Sequence, residues 1–354
     1  MQIFYARFPF SAQLTCMANL IFRRGWYLPE RVVTPLADYQ RRREFLGRLG
    51  LGAAGLLATS LVGCGKVVEA SAAGPGATNN STPATAAGNA TSARPSSFPA
   101  KRNPEFSPEV TLSKSDDVYT YNNFYEFSTT KNRVHKLVGK FTTDPWSLTV
   151  GGLCENPFSF DAAALNSLFP LEERVYRFRC VEAWAMTVPW TGFPLAKLIE
   201  KASPKTEAKF VKFTTAMRPD QMPGIGALSE YPWPYTEGLR LDEAMNPLTL
   251  VATGLYGEPL KKQNGAPVRI VVPWKYGYKS IKSIVKIEFV AQQPPTLWET
   301  LNPREYPFES NVDPGVPHPR WSQATERIIG GGGSVATLKY NGYGDYVAKL
   351  YANR

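Results

Sequence analysis

Tyr176-Arg177-Phe178-Arg179-Cys180-Val181-Glu182-Ala183-Trp184 is the stretch on which the reading of this chain turns. A β-favouring run over 175–178 predicts a strand, and Cys180 then falls where strand gives way to loop. Arg177 and Arg179 lie two apart and would share one strand face. Guanidinium groups beside a thiol favour the thiolate, the form that either a nucleophile or a soft-metal ligand must take. A hydrolytic cysteine wants a histidine, and the chain holds only His135 and His318. A zinc site made of protein groups alone lacks a Cys/His cluster at suitable spacing. If Cys180 binds a metal, the other ligands are therefore expected from an organic cofactor. Glu182 has two readings: a proton partner facing such a metal, or an ion-pair partner of Arg177. Trp184 and Trp190 divide between framing a substrate entrance and packing in the core.

Outward from this stretch, strands are expected over 146–150, 210–214, 248–253, 268–272 and 283–290, and short helices over 160–168 and 193–201. No helix longer than about four turns is apparent. The class is a mixed α+β domain with many loops, stiffened by the 30 Pro of the chain. Of four Cys, Cys154 and Cys180 lie in the body. Cys154 precedes a Glu-Asn-Pro turn and reads as a buried inert thiol, with a disulfide to Cys180 as the alternative. There is no Gly-rich dinucleotide loop, no phosphate-binding Gly-Lys-Ser/Thr, no Gly-x-Ser-x-Gly elbow and no Cys-x-x-Cys. The run 330–333 reads as a flexible glycine turn rather than a phosphate cradle.

The formal charge is +10, but residues 1–64 hold eight Arg against one Asp and two Glu, half of the total. Beyond residue 102 the basic residues alternate with acidic ones, which argues against a nucleic-acid surface. Residues 41–64 join a charged start to an apolar stretch of small residues, a targeting segment. Its uncharged run is near the lower limit for a membrane-spanning helix and rich in Gly and Ala, so a permanent anchor is not expected. Arg42-Arg43 followed by Glu44-Phe45-Leu46 resembles the twin-arginine export signals, which carry folded cargo. Leu61-Val62-Gly63-Cys64 resembles a lipoprotein processing box, while Ala70-Ser71-Ala72 offers an ordinary cleavage site. Ala, Gly, Ser, Thr and Pro dominate the next segment, which cannot bury enough surface to order itself. The organisation is thus 1–64 signal with a long leading region, 65–104 flexible tether and 105–354 catalytic domain.

Arg179-Cys180-Val181-Glu182-Ala183-Trp184 and Val188-Pro189-Trp190-Thr191-Gly192-Phe193-Pro194-Leu195 together resemble the molybdenum centre of the sulfite-oxidase-like molybdopterin superfamily. Five further stretches narrow the resemblance: Tyr121–Phe127, Gln221-Met222-Pro223-Gly224, Tyr235–Arg240, Asn264–Arg269 and Val272–Gly277. With His318-Pro319-Arg320-Trp321-Ser322-Gln323-Ala324-Thr325-Glu326, they resemble the catalytic subunits of periplasmic protein-methionine-sulfoxide reductases over nearly all of 118–350. The resemblance implies one molybdenum held by the dithiolene of a single molybdopterin and by Cys180. Glu182, two residues beyond that ligand, is the catalytic candidate by its position. The same resemblance assigns the cofactor to Asn122, Tyr125, Glu126, Thr215, Asn264, Arg269, Ser280, Ile281 and Lys282. Arg269 and Lys282 suit a phosphate, Asn and Thr suit a pterin edge, and backbone N–H groups near Ser280 can take an anion. The plainer alternatives are a turn role for Asn264 and an edge-strand salt bridge for Arg269.

The reaction implied is reduction of methionine sulfoxide in exported, oxidised proteins. Its electrons would come from a haem-containing integral membrane subunit, and the catalytic subunit would be monomeric and periplasmic. Processing at the lipoprotein box would anchor this subunit through a lipid on Cys64. A sulfite-oxidising enzyme of the same fold and a non-catalytic envelope lipoprotein are the rival expectations. The segment 225–234 departs from the family pattern by being short and apolar, which bears on substrate preference.

Overall fold

The computed structural model describes residues 97–352. The expected signal, with Arg42, Arg43 and Cys64, and most of the expected tether lie outside that range. The end of the tether is already part of the folded body. Arg102 pairs with Glu173 at 2.7 Å, the N–H of Asn103 donates to the Glu173 carbonyl, and Phe106 is buried.

Five strands, β1 (Ser147–Gly152), β2 (Phe158–Asp161), β5 (Phe210–Thr215), β6 (Thr236–Arg240) and β10 (Ile284–Val290), form one sheet in the order β2-β1-β10-β5-β6. β1 runs parallel to β10 and the other neighbours are antiparallel. β5 displays the signal that predicts it: buried Val211, Phe213 and Thr215 alternate with half-buried Phe210, Lys212 and Thr214.

The second sheet holds β3 (Glu172–Arg179), β4 (Trp184–Pro194), β7 (Leu250–Leu255), β8 (Glu258–Pro259), β9 (Arg269–Val271), β11 (Thr325–Ile328) and β12 (Ser334–Ala336). β4 is its spine. One edge of β4 pairs with β3 from Ala185 to Gly192. The other takes β11 in parallel at Trp184 and Ala185, then β7 in antiparallel from Trp190 to Pro194. Parallel and antiparallel pairs in both sheets, joined by short helices, make the fold the expected mixed α+β class.

Nine of the eleven residues of β4 are buried, so it shows no period-2 pattern, and sequence periodicity missed most of it. The helix expected from 193 starts instead at Leu195, because Phe193 and Pro194 still pair with β7. That helix, Leu195–Ala202, buries Leu195, Leu198, Ile199 and Ala202 on one stripe. Residues 160 and 161, expected in a helix, belong to β2 because they pair with β1, and the helix is Ala162–Leu168. The strand expected over 146–150 runs on through Gly151 and Gly152, which pair with β10. Gly192 sits at a register shift between β4 and β7, where a Cβ would fall 2.0 Å from the Val251 carbonyl oxygen. Only glycine permits that approach. The glycines at 330, 331 and 333 all have positive φ and turn the chain from β11 to β12.

The short helix Pro223–Ala227 seats the loop that follows Tyr121. The Gly224 N–H donates to the Glu126 carbonyl at 2.7 Å, and a Cβ at 224 would lie 2.1 Å from the Tyr125 carbonyl oxygen. Gly226, in the same helix, faces open space. Gly224→Ala is therefore expected to destabilise by about 1–3 kcal/mol through overpacking. Gly226→Ala should stay within about 0.5 kcal/mol of the parent. Thermal unfolding separates the two at roughly 2–4 °C per kcal/mol for a domain near this size. Equal melting temperatures would show that the loop is not seated on Gly224.

Candidate active site

The turn between β3 and β4 carries Cys180. Its N–H donates to the Trp184 carbonyl at 2.9 Å, and Ala183 closes the turn at φ 60°, in the left-handed region. The thiol is buried, and its Sγ accepts from Asn123 Nδ2 at 3.3 Å and from the Glu182 N–H at 3.4 Å. Glu182 Oε2 lies 3.6 Å from the sulfur.

Two expectations about this turn need correction. Arg177 and Arg179 share a strand face, but both turn their guanidinium groups to Glu326 rather than to the thiol. Burial, reinforced by the Glu182 charge, pushes the Cys180 thiol up to about 12, so the arginines do not make it a thiolate. A bound metal would do so by displacing the proton. Glu182 does not pair with Arg177. It takes Lys131 Nζ at 2.9 Å, Asn123 Nδ2 at 3.0 Å and Trp184 Nε1 at 3.2 Å. Burial works against its charge, but hydrogen bonds from Asn123, Lys131 and Trp184 outweigh it and hold the carboxyl below its usual range. Cys154 and Cys180 are both free, which removes the disulfide reading.

Cys180 opens into a cleft with about 990 Å³ of atom-free space, part of it open to solvent. Every site residue singled out from the sequence lines it, although those residues come from five separate parts of the chain. Asn122 Oδ1 accepts from Asn264 Nδ2 at 2.9 Å, and Thr215 Oγ1 donates to the Lys282 carbonyl at 2.8 Å. Asn264 is also the turn residue of the plainer reading, ending a 3-10 turn before Gly265 at φ +99°. The Ile281 carbonyl accepts from Ile270 N–H at 3.0 Å. The Ser280 N–H is already committed to the Gly277 carbonyl at 3.1 Å, so it is not a free anion donor.

Arg269 makes no edge-strand salt bridge. Its guanidinium, 2% exposed, donates to the carbonyls of Asn264 at 2.8 Å and Ser280 at 2.9 Å and lies over the Trp190 ring, with no carboxylate partner. Burial lowers it to about 9. Lys282 is bonded to the Asn123 carbonyl at 2.7 Å and is pushed down by burial and by Arg269. Glu126, the buried carboxylate of the cleft, is pushed up by burial. Arg269 is thus a buried cation with no carboxylate in contact, and burial disfavours the charged forms of both Lys282 and Glu126. Asn264 Oδ1, Asn123 Oδ1 and Trp190 Nε1 are buried in the lining without a hydrogen-bond partner. Such a site suits a polar, anionic ligand with hydrogen-bonding edges, and a pterin carrying a phosphate fits that description. Among the described residues no three His, Cys, Asp or Glu side chains gather to hold a metal.

Aromatic rings line part of the cleft: Tyr125 meets Trp298 edge-on at 5.0 Å and Trp298 meets Tyr306 at 5.0 Å. Tyr231, stacked on Trp233 in the short apolar segment, backs Trp298 at 6.2 Å. Trp184 and Trp190 combine their two readings, being buried and lining the cleft at once. Asn123, Lys131, Trp298 and Tyr306 were missed as site residues. Asn123 stood inside a quoted motif; Lys131 and Tyr306 carried no local signal, since only folding brings Lys131 to Glu182 and Tyr306 to the cleft.

Residues 135–298, which include Cys180 and much of the cleft lining, match the oxidoreductase molybdopterin binding domain family. Three curated relatives each bear the name protein-methionine-sulfoxide reductase catalytic subunit MsrP. That of Burkholderia mallei is 50% identical over 92% of this chain and 93% of its own. That of Xanthomonas axonopodis is 46% identical over 94% and 97%, and that of Xanthomonas campestris 53% over 72% and 80%. The chain belongs to this family of reductase catalytic subunits.

Arg269 gives a test of the cofactor site. Removing its guanidinium takes away a buried charge but leaves the Asn264 and Ser280 carbonyls without that donor, so the two effects on stability oppose each other. Arg269→Met is expected to stay folded by circular dichroism yet to retain at least about tenfold less pterin, read by fluorescence of the released pterin. Normal pterin retention would remove Arg269 from the cofactor site.

Proposed function

We propose that the chain reduces methionine sulfoxide in exported proteins, with molybdenum and one molybdopterin in the cleft and Cys180 as the metal's protein ligand. The observation that carries this is the buried Cys180 sulfur on the wall of a cleft that also holds a buried Arg269 without a carboxylate partner and unpartnered polar atoms. The reaction breaks the sulfoxide S–O bond, leaves a thioether, and consumes two electrons and two protons as the oxygen departs in water. Bound molybdenum supplies the two-electron chemistry that no side chain offers.

The remaining work falls to the chain. Asn122, Tyr125, Glu126, Thr215, Asn264, Arg269, Ser280, Ile281 and Lys282 hold the pterin and its phosphate, with Arg269 and Lys282 supplying the counter-charge. Glu182 rests ionised beside the sulfur and takes up and passes on a proton, held in place by Lys131 and Asn123. Tyr125, Trp298 and Tyr306 exclude water and give the methyl and sulfur of the substrate an apolar, polarisable wall.

Electrons reach the site from a haem-containing integral membrane subunit, and the catalytic subunit works as a monomer in the periplasm. No helix among the described residues is long and apolar enough to cross a membrane. Attachment, in this reading, falls to the partner or to a lipid on Cys64, after export through the Arg42-Arg43 signal.

Cys180→Ser replaces a soft ligand by a harder one of far higher pKa and is expected to cut sulfoxide reduction at least about tenfold, while Cys154→Ala leaves it near the parent rate. Activity with peptide methionine sulfoxide and with sulfite, alongside molybdenum content per chain, decides the reaction. Sulfite oxidation without sulfoxide reduction, or absence of molybdenum after expression in a cofactor-competent host, would falsify this reading.

Export has its own test. Replacing Arg42 and Arg43 with Lys keeps the charge but removes the guanidinium forks. The double variant should stay in the cytoplasm as a molybdenum-containing precursor that still reduces methionine sulfoxide with an artificial electron donor. Cell fractionation that finds it in the periplasm at normal levels would sink the twin-arginine assignment.

A further inference from the structure

The turn that presents Cys180 is gripped from behind by one distant segment. Trp321 Nε1 and Gln323 Nε2 each donate to the Val181 carbonyl at 2.8 Å, and the Arg327 N–H donates to the Ala183 carbonyl at 2.9 Å. Arg179 donates to the Cys180 carbonyl and, at 2.7 Å, to Gln323 Oε1. Three of the four turn residues, 180, 181 and 183, are thus held by their carbonyl oxygens. Arg179 is in turn fixed by an ion pair with Glu326, whose side chain is fully buried and lies 2.9 Å from Arg179 Nε. Arg177 pairs with the other oxygen of Glu326. None of these groups touches the sulfur, and none of Gln323, Glu326 and Arg179 lines the cleft.

We propose that Glu326, Arg179 and Gln323 are positioning residues that hold the Cys180 turn, and so the direction of its Sγ, for the metal. The proposal rests on Cys180 being the metal's ligand. Ala183 sits in a backbone region that L-residues avoid, and a turn carrying such a residue keeps its shape only when its surroundings over-determine it. The grip of residues 321–327 is that over-determination. Losing it frees the turn while leaving the residues assigned to the pterin in place.

Full-length protein prepared without cofactor provides the first readout. Glu326→Gln and Gln323→Leu are each expected to raise the alkylation rate of Cys180 by iodoacetamide at least about tenfold through local opening, with buried Cys154 unchanged as the internal reference. In the holoenzyme the same variants should shift the metal–sulfur absorption band and lower kcat about 10–100-fold with KM nearly constant. Unchanged Cys180 alkylation in both variants overturns the proposal. So does a rise at Cys154 equal to that at Cys180 in both, the mark of general loosening. If Glu326→Gln alone loosens the whole chain, Gln323→Leu decides, because it leaves the Glu326–Arg179 pair intact. Alkylation involves no metal, so its failure is distinct from failure of the ligand assignment, which a metal–sulfur band retained in Cys180→Ser would show.

Discussion

The buried carboxylate of Glu326, shared between Arg177 and Arg179, is the interaction on which the centre of this molecule depends. β3 and β4 are joined by a turn too short to hold a core of its own, and one of its residues is in a backbone conformation that costs about 1–2 kcal/mol. A buried ion pair contributes little net stability, but removing one partner costs about 3–5 kcal/mol, so such a pair enforces geometry more than it adds strength. Here the geometry enforced is that of the Cys180 turn. Because β11, which carries Glu326, also pairs with β4 at Trp184 and Ala185, the clamp and the spine of the sheet are one structure.

On the cleft side the balance is reversed. Arg269 is buried and Lys282 half-buried, neither with a carboxylate in salt-bridge contact, and three lining polar atoms have no partner. Unpartnered polar atoms and an uncompensated buried charge cost the empty protein stability. Their presence makes sense as complementarity to a ligand whose charge and hydrogen bonds complete the site. A chain that carries such a cleft gains stability when it is filled, by the ordinary linkage between binding and folding. That linkage accords with the proposed route, in which the cofactor is inserted before a folded protein is exported.

What the sequence determined by itself was local: the alternating strand β5, the amphipathic helix after Pro194, the turn glycines, and the motif residues that meet in the cleft. Those motifs were legible because a resemblance covered most of the chain; from spacing alone, Asn264 and Arg269 would have passed as a turn residue and an edge-strand ion pair. Tertiary structure decided what depends on partners distant in sequence. β4 was missed because burial on both faces erases the pattern that marks a strand. The arginines beside Cys180 were assigned to the thiol because two-residue spacing fixes a face but not a partner, and the partner, Glu326, lies 149 residues from Arg177. Lys131 reached Glu182 for the same reason. Side-chain chemistry is written along the chain, whereas the charge, burial and direction of a group are set by whatever the fold packs against it.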